Sequence, residues 1–230
     1  MSGLPVTQIE FAPLHERVYD ELRRALISGK FTPGQKLTSR KLAAALGTSD
    51  MPVRAAISRL TAERGLIQLS NGTFIVPMLS RERFKEVMGL RALLEGRATA
   101  LACGRIDATG FRRLHKYSSD LDDASHRGDI VGYLDVNQKL KFTIYGYCNS
   151  PSLYNLIEML WLQAGPALRY HSKLLREITK INFHRQAIAS LERGKRAAAA
   201  RAIARDIEAG MKALLKVGQF RAETDADESS

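Results

Sequence analysis

The sequence has little of what defines several large classes of protein. Its 230 residues include two cysteines, Cys103 and Cys148, and both lie in helical apolar patterns, which predicts buried thiols and not a disulfide or a metal pair. No apolar run approaches the roughly 18 to 20 residues that a membrane-spanning helix needs, and the first residues do not resemble a secretion signal. These absences predict a cytoplasmic protein with no membrane partner and no redox chemistry.

Positive charge is the main compositional bias. Lys and Arg number 35 against 24 Asp and Glu, a net charge of +11, so nucleic acid and other polyanions become the first candidate partners. Residues 10–77 contain 10 basic and 6 acidic residues, and residues 78–218 contain 24 and 14. The last segment, 219–230, is acidic, and from Ala222 onward it has no large apolar residue to pack, which predicts a disordered tail.

The pattern of residues 10–77 predicts three helices. Apolar residues recur every three or four positions from Pro13 to Ser28, the period of an amphipathic helix. Thr38 or Ser39 can cap a short helix over Arg40–Leu46, which Gly47 ends. Ser49 begins a third helix, whose first turn tolerates a proline. This order is that of a helix-turn-helix.

A β-hairpin is predicted after the third helix. Two short apolar stretches, Leu66–Leu69 and Thr73–Val76, flank an Asn71-Gly72 pair, which favours the left-handed dihedral angles of a tight turn. A hairpin in this place is a wing. Three helices followed by a wing, in a basic segment, predict a DNA-binding domain over residues 10–77.

The candidate DNA-contacting residues lie at the helix starts and in the wing. A recognition helix inserts its first residues into the major groove, while turns and wing donate to phosphates, and arginine suits both phosphate oxygens and guanine edges. The same residues could instead be solvated charges of small helices. The candidates are Thr38, Ser39, Arg40, Lys41, Ser49, Asp50, Met51, Arg54, Arg59 and Gly72.

Nearly all of residues 10–77 resembles the winged helix of the GntR family of transcription regulators. The resemblance is carried by Val18–Gly29, Pro33–Leu37, Leu42–Ser49 and Pro52–Arg54. It implies that arginines near the starts of the second and third helices contact DNA and that a wing glycine approaches its backbone. Arg40, Arg54 and Gly72 occupy three of those places, whereas Asp50 replaces the usual third arginine and Ala55 replaces the usual glutamate.

The carboxylate of Asp50 has two opposing effects. In the first turn it favours the helix dipole by roughly 0.3 to 1 kcal/mol, but it repels nearby phosphates. Asp50 could accept a hydrogen bond from a cytosine amino group, which predicts an operator that differs from the family's commonest one. It could equally be only a residue that caps the helix.

The rest of the chain is helical by pattern. Six amphipathic segments, at 81–103, 107–127, 129–148, 151–174, 177–193 and 195–217, predict an antiparallel bundle whose interior could hold a small molecule. The expected fold is therefore mostly α, with an N-terminal winged helix-turn-helix, a linker at 78–82 and an all-α domain at 83–218.

The helical segment resembles the FCD ligand-binding domain of the FadR subfamily of GntR regulators. The resemblance is carried by Leu90–Ala98, Tyr133–Asn137, Asn149–Leu153 and His184–Gly194. Six helices, not seven, suggest its VanR-like branch. It implies a dimerisation and effector-binding domain, which in many members holds a divalent metal that grips an effector carboxylate.

The ligand set that the resemblance implies for a metal is incomplete in this sequence. Asn137 stands at the first place and His184 at the third, but Lys141 replaces the second ligand, a histidine, and Asp206 the fourth. An ammonium group offers no lone pair and adds positive charge where a cation would sit. We therefore expect no metal cofactor; zinc is disfavoured, and if an ion is present its ligands are Asn137, His184 and Asp206.

Lys141 could instead anchor a small carboxylate or phosphate effector. Arg91, Asn137, His184 and Asp206 are its candidate partners in the site. Another possibility is an internal Lys141–Asp206 ion pair that plugs the cavity and leaves a regulator without a ligand.

The function predicted from these features is sequence-specific transcription regulation. Two winged helices read a palindrome better than one, so we expect a homodimer on double-stranded operator DNA. Repression is implied by the resemblance alone. No nucleophile elbow, phosphate-binding glycine loop or complete metal triad is found, so an enzyme is not expected. The alternative is a ligand-independent or architectural DNA-binding protein, which the charge of residues 78–218 favours.

Overall fold

A computed structural model describes residues 14–170 and 181–222 of the chain. Nine helices and three short strands lie in these ranges, which confirms the mostly α fold. The helices are α1 (Leu14–Ile27), α2 (Ser39–Leu46), α3 (Asp50–Ala62), α4 (Arg81–Ala102), α5 (Ala108–Arg127), α6 (Ile130–Gly146), α7 (Pro151–Leu168), α8 (Phe183–Glu192) and α9 (Arg196–Val217).

The first three helices and the sheet form the head, residues 14–76. Strands β1 (Lys36–Leu37), β2 (Ile67–Gln68) and β3 (Phe74–Ile75) make an antiparallel sheet in the order β1-β3-β2. The hairpin turn places Gly72 at φ 75°, in the left-handed region that the Asn-Gly pair predicted. The sequence pattern did not identify β1, because two residues are too few to show an alternation.

The six later helices form the body, in which α4 occupies the centre. It packs on α9, α7 and α6, and α5 packs on α6 and α8. Side-chain caps fix where the helices begin: Ser80 accepts from the backbone of Arg83, and Asp107 accepts from Gly110. None of the helices in the described ranges is long and apolar enough to cross a membrane.

The predicted boundaries of the body differ from the structure in three places. Helix α4 begins at Arg81, so the 78–82 linker ends at its cap residue. Helix α7 ends at Leu168, before the predicted end at residue 174, and α8 begins at Phe183; residues 174 and 177, the predicted bounds, lie outside the described residues. The predicted break near Arg176 lies outside the described residues.

The end of the chain is held closer to the body than the predicted tail at 219–230 implies. The Phe220 ring packs against Phe84 at 5.3 Å between centroids, and the backbone of Arg221 donates to Leu79 O at 3.0 Å. A half-buried aromatic ring packed on the bundle therefore holds residues that were predicted to belong to the tail. Residues 223–230 of that prediction lie outside the described residues.

The head sits directly on α7 of the body. Arg23 of α1 forms an ion pair with Glu158 at 2.8 Å, and Arg169 donates to the Thr32 hydroxyl. A Cβ atom at Gly165 would lie 2.5 Å from the backbone oxygen of Leu26, so the two backbones meet where α7 has no side chain. The head is thus docked through close backbone contact as well as charge.

Candidate functional site

The candidate DNA-binding surface is formed by the starts of α2 and α3. Thr38 caps α2 by accepting from Lys41 N at 3.3 Å, and Gly47 ends that helix in the left-handed conformation. Gly47 and two further residues then lead into α3. The exposed candidates are Arg40, Lys41, Ser49, Met51 and Arg54, whereas Thr38, Ser39 and Asp50 are half-buried. The structure therefore brings eight of the predicted residues together at two adjacent helix N-termini.

Asp50 is paired with Arg54 one turn later. Its Oδ2 accepts from Arg54 Nε at 2.5 Å, and both side chains remain partly exposed. The Ser39 hydroxyl, and then the Arg54 guanidinium, lower the pKa of the Asp50 carboxyl below its usual range. Asp50 is therefore ionised and offsets one of the cations at the start of α3.

Arg59 does not share this surface. It lies at the other end of α3, where its Nε donates to Glu63 at 3.0 Å and its guanidinium stacks 3.8 Å from the Tyr19 ring centroid. Burial, and then the hydrogen bond to Glu63, raise the pKa of Tyr19 to about 12. Arg59 thus contacts Glu63 at the end of α3 and Tyr19 of α1, apart from the other candidates, and its contact with DNA stays a prediction.

The exposed face of α3 extends further than the predicted residues. Ser58 is exposed and lies on the same face as Met51, Arg54 and Ala55. The positions i, i+3, i+4 and i+7 from Met51 share one helix face, so the spacing could have identified Ser58. Met51, 80% exposed, is the most prominent apolar side chain of this surface.

The body contains a group of charged side chains that we term the ionic cluster: Arg91, Glu95 and Lys141, which are buried, and Asp206, which is half-buried. Lys141 is 2% exposed, and its Nζ lies 2.6 Å from Asp206 Oδ2 and 3.9 Å from Glu95 Oε2. Arg91 Nε donates to Glu95 Oε1 at 2.7 Å. Two cations therefore face two carboxylates inside the bundle.

Glu95 is the most enclosed member of the ionic cluster and is absent from the predicted site. It is fully buried and also accepts from Tyr145 OH at 2.5 Å and Trp161 Nε1 at 2.9 Å. Burial, more than the neighbouring carboxylate, raises the pKa of Tyr145 well above its usual value. The signal for Glu95 was its position four residues after Arg91 on the buried face of α4, where charges are rare.

His184 and Asn137 adjoin the ionic cluster. His184 Nε2 lies 2.9 Å from Asn137 Oδ1 and 3.5 Å from Asp206 Oδ2. Burial lowers the pKa of the His184 imidazole, an effect that Asp206 opposes and Lys141 reinforces. The structure thus brings all five predicted effector-site residues into one region, with the imidazole neutral at pH 7.

The cavity beside the ionic cluster is small. Its volume is about 40 Å³, and its lining includes Arg91, Asn137, Lys141 and Asp206. Such a volume holds one or a few waters, whereas pockets for metabolites occupy roughly 300 to 1,000 Å³. His184 instead lines a second cavity of about 20 Å³. In this conformation the site is closed by the Lys141–Asp206 pair.

The donor set around Lys141 does not fit a metal ion. The ammonium group lies 2.6 Å from Asp206 Oδ2, at the place where a cation bound to Asp206 would sit. No three His, Cys, Asp or Glu side chains within residues 14–170 and 181–222 are placed to hold a metal.

Family models match both parts of the chain. The model described as "Bacterial regulatory proteins, gntR family" matches residues 14–75, and the FCD domain model matches residues 86–209. The HTH-type transcriptional regulator McbR of Escherichia coli (strain K12) is 32% identical over 154 residues, which are 67% of this chain and 70% of that protein. The Nta operon transcriptional regulator of Aminobacter aminovorans is 28% identical over 136 residues, 58% of this chain and 63% of that protein.

Solved structures share the arrangement of head and body. The structure of E. coli McbR/YncC superposes with a TM-score of 0.84 at 28% identity, covering 90% of this chain and 99% of that one. A regulator structure from Rhodococcus sp. RHA1 gives a TM-score of 0.68 at 23% identity, covering 89% and 99%, and supports the fold alone.

Proposed function

The chain belongs to the GntR family and carries an FCD domain, so it is a DNA-binding transcription regulator and not an enzyme, and we propose that it represses transcription as an effector-responsive homodimer. The proposal depends chiefly on one observation: exposed cationic and polar side chains converge at the starts of α2 and α3. That arrangement suits insertion of α3 into the major groove.

The DNA contacts divide by chemistry. Arg40 and Lys41, at the start of α2, bind phosphate oxygens and fix the position of the head. Arg54 and Met51 face the bases, where guanidinium suits guanine and the thioether suits a thymine methyl group. Gly72 lets the wing backbone approach the DNA backbone.

A homodimer is supported by an apolar surface on α4 and α7. Leu93 is 67% exposed and Leu156 50%, which is unusual for side chains of this size in a monomer. We term this surface the α4–α7 face; it consists of Leu90, Leu93, Leu94, Leu156, Met159 and Leu160. Pairing two copies through it buries these residues and supplies the two heads that a palindromic operator needs.

The effector that we propose is a small carboxylate or phosphate that takes the place of Asp206 on Lys141. Lys141 is buried, whereas the Asp206 side chain is 19% exposed and is therefore the partner that can withdraw. Arg91, Asn137 and His184 lie close enough to complete the site. We propose no metal, because Lys141 already supplies the positive charge that would hold the anion.

A second candidate is a regulator without a small ligand. It is favoured by the 2.6 Å Lys141–Asp206 pair and by the 40 Å³ volume beside it, which together fill the place of an effector. In this case the ionic cluster only specifies the packing of the bundle, as buried polar groups do in some proteins.

DNA binding is tested by selecting genomic fragments that the purified chain retains at moderate salt. Retention of discrete fragments, repression of a reporter behind them, and loss of both in Arg40→Ala/Arg54→Ala are expected. Retention that is the same for selected fragments and bulk competitor would contradict sequence-specific regulation.

The effector site is tested by chemical rescue. Asp206→Ala leaves the Lys141 ammonium buried with its nearest remaining carboxylate at 3.9 Å, so a loss of about 3 to 5 kcal/mol of stability is expected. Formate or acetate should restore the melting temperature if anions reach the site. Asp135→Ala removes a carboxylate paired with Lys139 at 2.6 Å on the exposed side of α6 and is the control, with little loss and no rescue. A wild-type protein that no organic anion stabilises would favour the second candidate.

A further inference from the structure

The body carries positive charge that the proposed contacts of the head do not use. Residues 78–218 contain 24 basic and 14 acidic residues, a larger excess than that of residues 10–77. A ligand site around Lys141 accounts for two of these cations, Lys141 and Arg91, and each already has a carboxylate partner. Most of the remaining cations in the described residues lie on the surface.

Four of these surface cations lie on one face of α9. Arg201, Arg205, Lys212 and Lys216 are all exposed and are separated by four, seven and four residues, so they project within about 60° of one another around the helix. We term these four residues the α9 stripe. It extends about 22 Å along the helix, at 1.5 Å per residue. Glu208 is the one acidic residue on this face within the described part of the chain.

Within the described residues, the cations of the α9 stripe have no carboxylate partner. Some exposed cations elsewhere in the body, such as Lys116 and Lys139, have a carboxylate within 2.7 Å. Across residues 14–170 and 181–222, no carboxylate lies within ion-pairing distance of any of the four side chains. Four unpaired charges held at helical spacing on one rigid element attract a polyanion more strongly than scattered, paired ones.

The stripe ends at the junction between body and head. The guanidinium of Arg81 donates to Leu215 O at 2.8 Å, and Arg221 pairs through its backbone with Leu79 O at 3.0 Å. These contacts place the carboxyl end of α9 beside the segment that leads from the wing to α4. The stripe therefore ends close to the connection between the body and the DNA-binding head.

We propose that the α9 stripe binds the phosphate backbone of DNA that flanks the operator. Its length of about 22 Å is roughly two thirds of a duplex turn of about 34 Å, so its cations can follow phosphates along the groove edge. An anionic membrane is a poorer partner: a membrane-surface helix exposes apolar side chains beside its cations, but Ile203, Ile207 and Leu214 are buried in the bundle. The proposal rests on the head binding DNA.

The experiment compares two duplexes with the same selected operator. The short one ends at the operator, and the long one extends by about one and a half helical turns on each side. Wild-type full-length protein should bind the long duplex more tightly, with a salt dependence steeper by about 2.7 if three phosphates are contacted. Between about 50 and 200 mM salt, that difference in slope reduces the ratio of the affinities for the long and the short duplex roughly 40-fold.

Two variants test the stripe. The triple variant Arg205→Gln/Lys212→Gln/Lys216→Gln should lose the advantage of the long duplex and keep wild-type affinity for the short one. Glu208→Lys should increase the advantage. The control Arg112→Gln/Lys116→Gln/Arg127→Gln removes the same charge from the exposed side of α5 and should behave as wild type.

The outcomes separate this inference from the proposed function. Failure of wild type to bind either duplex contradicts the proposed function. Equal binding of both duplexes at low salt, an undiminished advantage in the stripe variant, or equal losses in the stripe and control variants would each overturn the assignment of the stripe. The assignment would also be overturned if phosphatidylglycerol vesicles retained the wild-type protein but not the stripe variant while both proteins bound the long duplex equally.

Discussion

At the residue scale, Asp50 weakens the attraction of α3 for DNA and should contribute to the choice of site. Asp50→Asn frees Arg54 from its 2.5 Å partner and removes a charge that repels phosphates. We expect tighter binding to unrelated duplex, with a salt dependence steeper by about 0.9 for one added phosphate contact. Fluorescence anisotropy over a salt series measures both quantities.

The matched control for this prediction is Asp120→Asn. Asp120 forms the same kind of exposed i,i+4 pair, with Lys116 at 2.7 Å, but on α5 of the body. The Asp120→Asn variant should leave DNA binding unchanged. If Asp50→Asn alters neither affinity nor site preference, Asp50 acts only as a residue of the first turn and takes no part in recognition.

The buried imidazole of His184 should make the protein sensitive to acid. Burial lowers the pKa of His184 in the folded protein, whereas the unfolded chain takes up the proton near pH 6.5. The unfolded state then binds more protons below that pH, so stability present above pH 6.5 is lost as the pH falls, by up to about 1.4 kcal/mol per pH unit.

Urea denaturation between pH 5 and pH 7.5 measures this loss, and His184→Gln should flatten the dependence while keeping a donor near Asn137. His126→Gln, at an exposed position, should retain the wild-type slope. An unchanged slope in His184→Gln would assign the acid sensitivity to other groups.

The sequence predicted which residues form the site better than it predicted which of them pair with one another. Lys141, Asp206 and His184 were recognised because the resemblance supplied their positions, and the alternative of a Lys141–Asp206 pair is the contact that the structure forms. Glu95 was missed, since whether a charge on a helix is buried depends on neighbours from α6 and α7 that one helix pattern does not reveal. The separate position of Arg59 was not predictable, because an arginine in α3 looks the same in sequence whether it lies beside the other candidates or against Tyr19.

At the scale of elements, the docking of α1 on α7 depends on Gly165. A methyl group there would lie 2.5 Å from Leu26 O and 2.6 Å from Ile27 Cα, both backbone atoms that cannot rotate away. Gly165→Ala should therefore destabilise the protein by about 1 to 3 kcal/mol through overpacking. Thermal unfolding measures the change.

The control for this prediction is Gly146→Ala at the end of α6, where nothing lies within 4 Å of the added atom. Alanine favours a helix over glycine by up to about 1 kcal/mol, so this variant should be neutral or slightly stabilised. Equal stability of the two variants would mean that the head can shift away from α7 without loss.

The helices were predictable because apolar residues recur every three or four positions in each of them and capping residues mark their ends. The turn at Gly47 and the hairpin at Gly72 also follow from local chemistry. The contact between α1 and α7 was not predictable, since it joins segments more than 100 residues apart through a glycine that resembles any other in the sequence. Long-range packing of this kind leaves little local signal.

At the scale of the whole molecule, the α4–α7 face should hold two copies together. Leu93→Asp places a charge in the middle of that face, and burying an unpaired carboxylate costs several kcal/mol, so dimer dissociation should increase at least about 100-fold. Sedimentation velocity should show monomers, and binding to a palindromic operator should weaken in parallel.

Val131→Asp is the corresponding control, because Val131 is 58% exposed on α6, outside the α4–α7 face. It should remain dimeric with wild-type DNA binding. A Leu93→Asp protein that sediments like wild type would place the interface elsewhere.

The ionic cluster also constrains how this molecule can change over generations. Its two cations and two carboxylates cancel, so replacing any one of them strands an opposite charge in the core at a cost of about 3 to 5 kcal/mol, a large part of the stability of an ordinary domain. Diversification at this position is therefore expected in compensated pairs, with the partner of Lys141 changing in the same lineage as Lys141 itself.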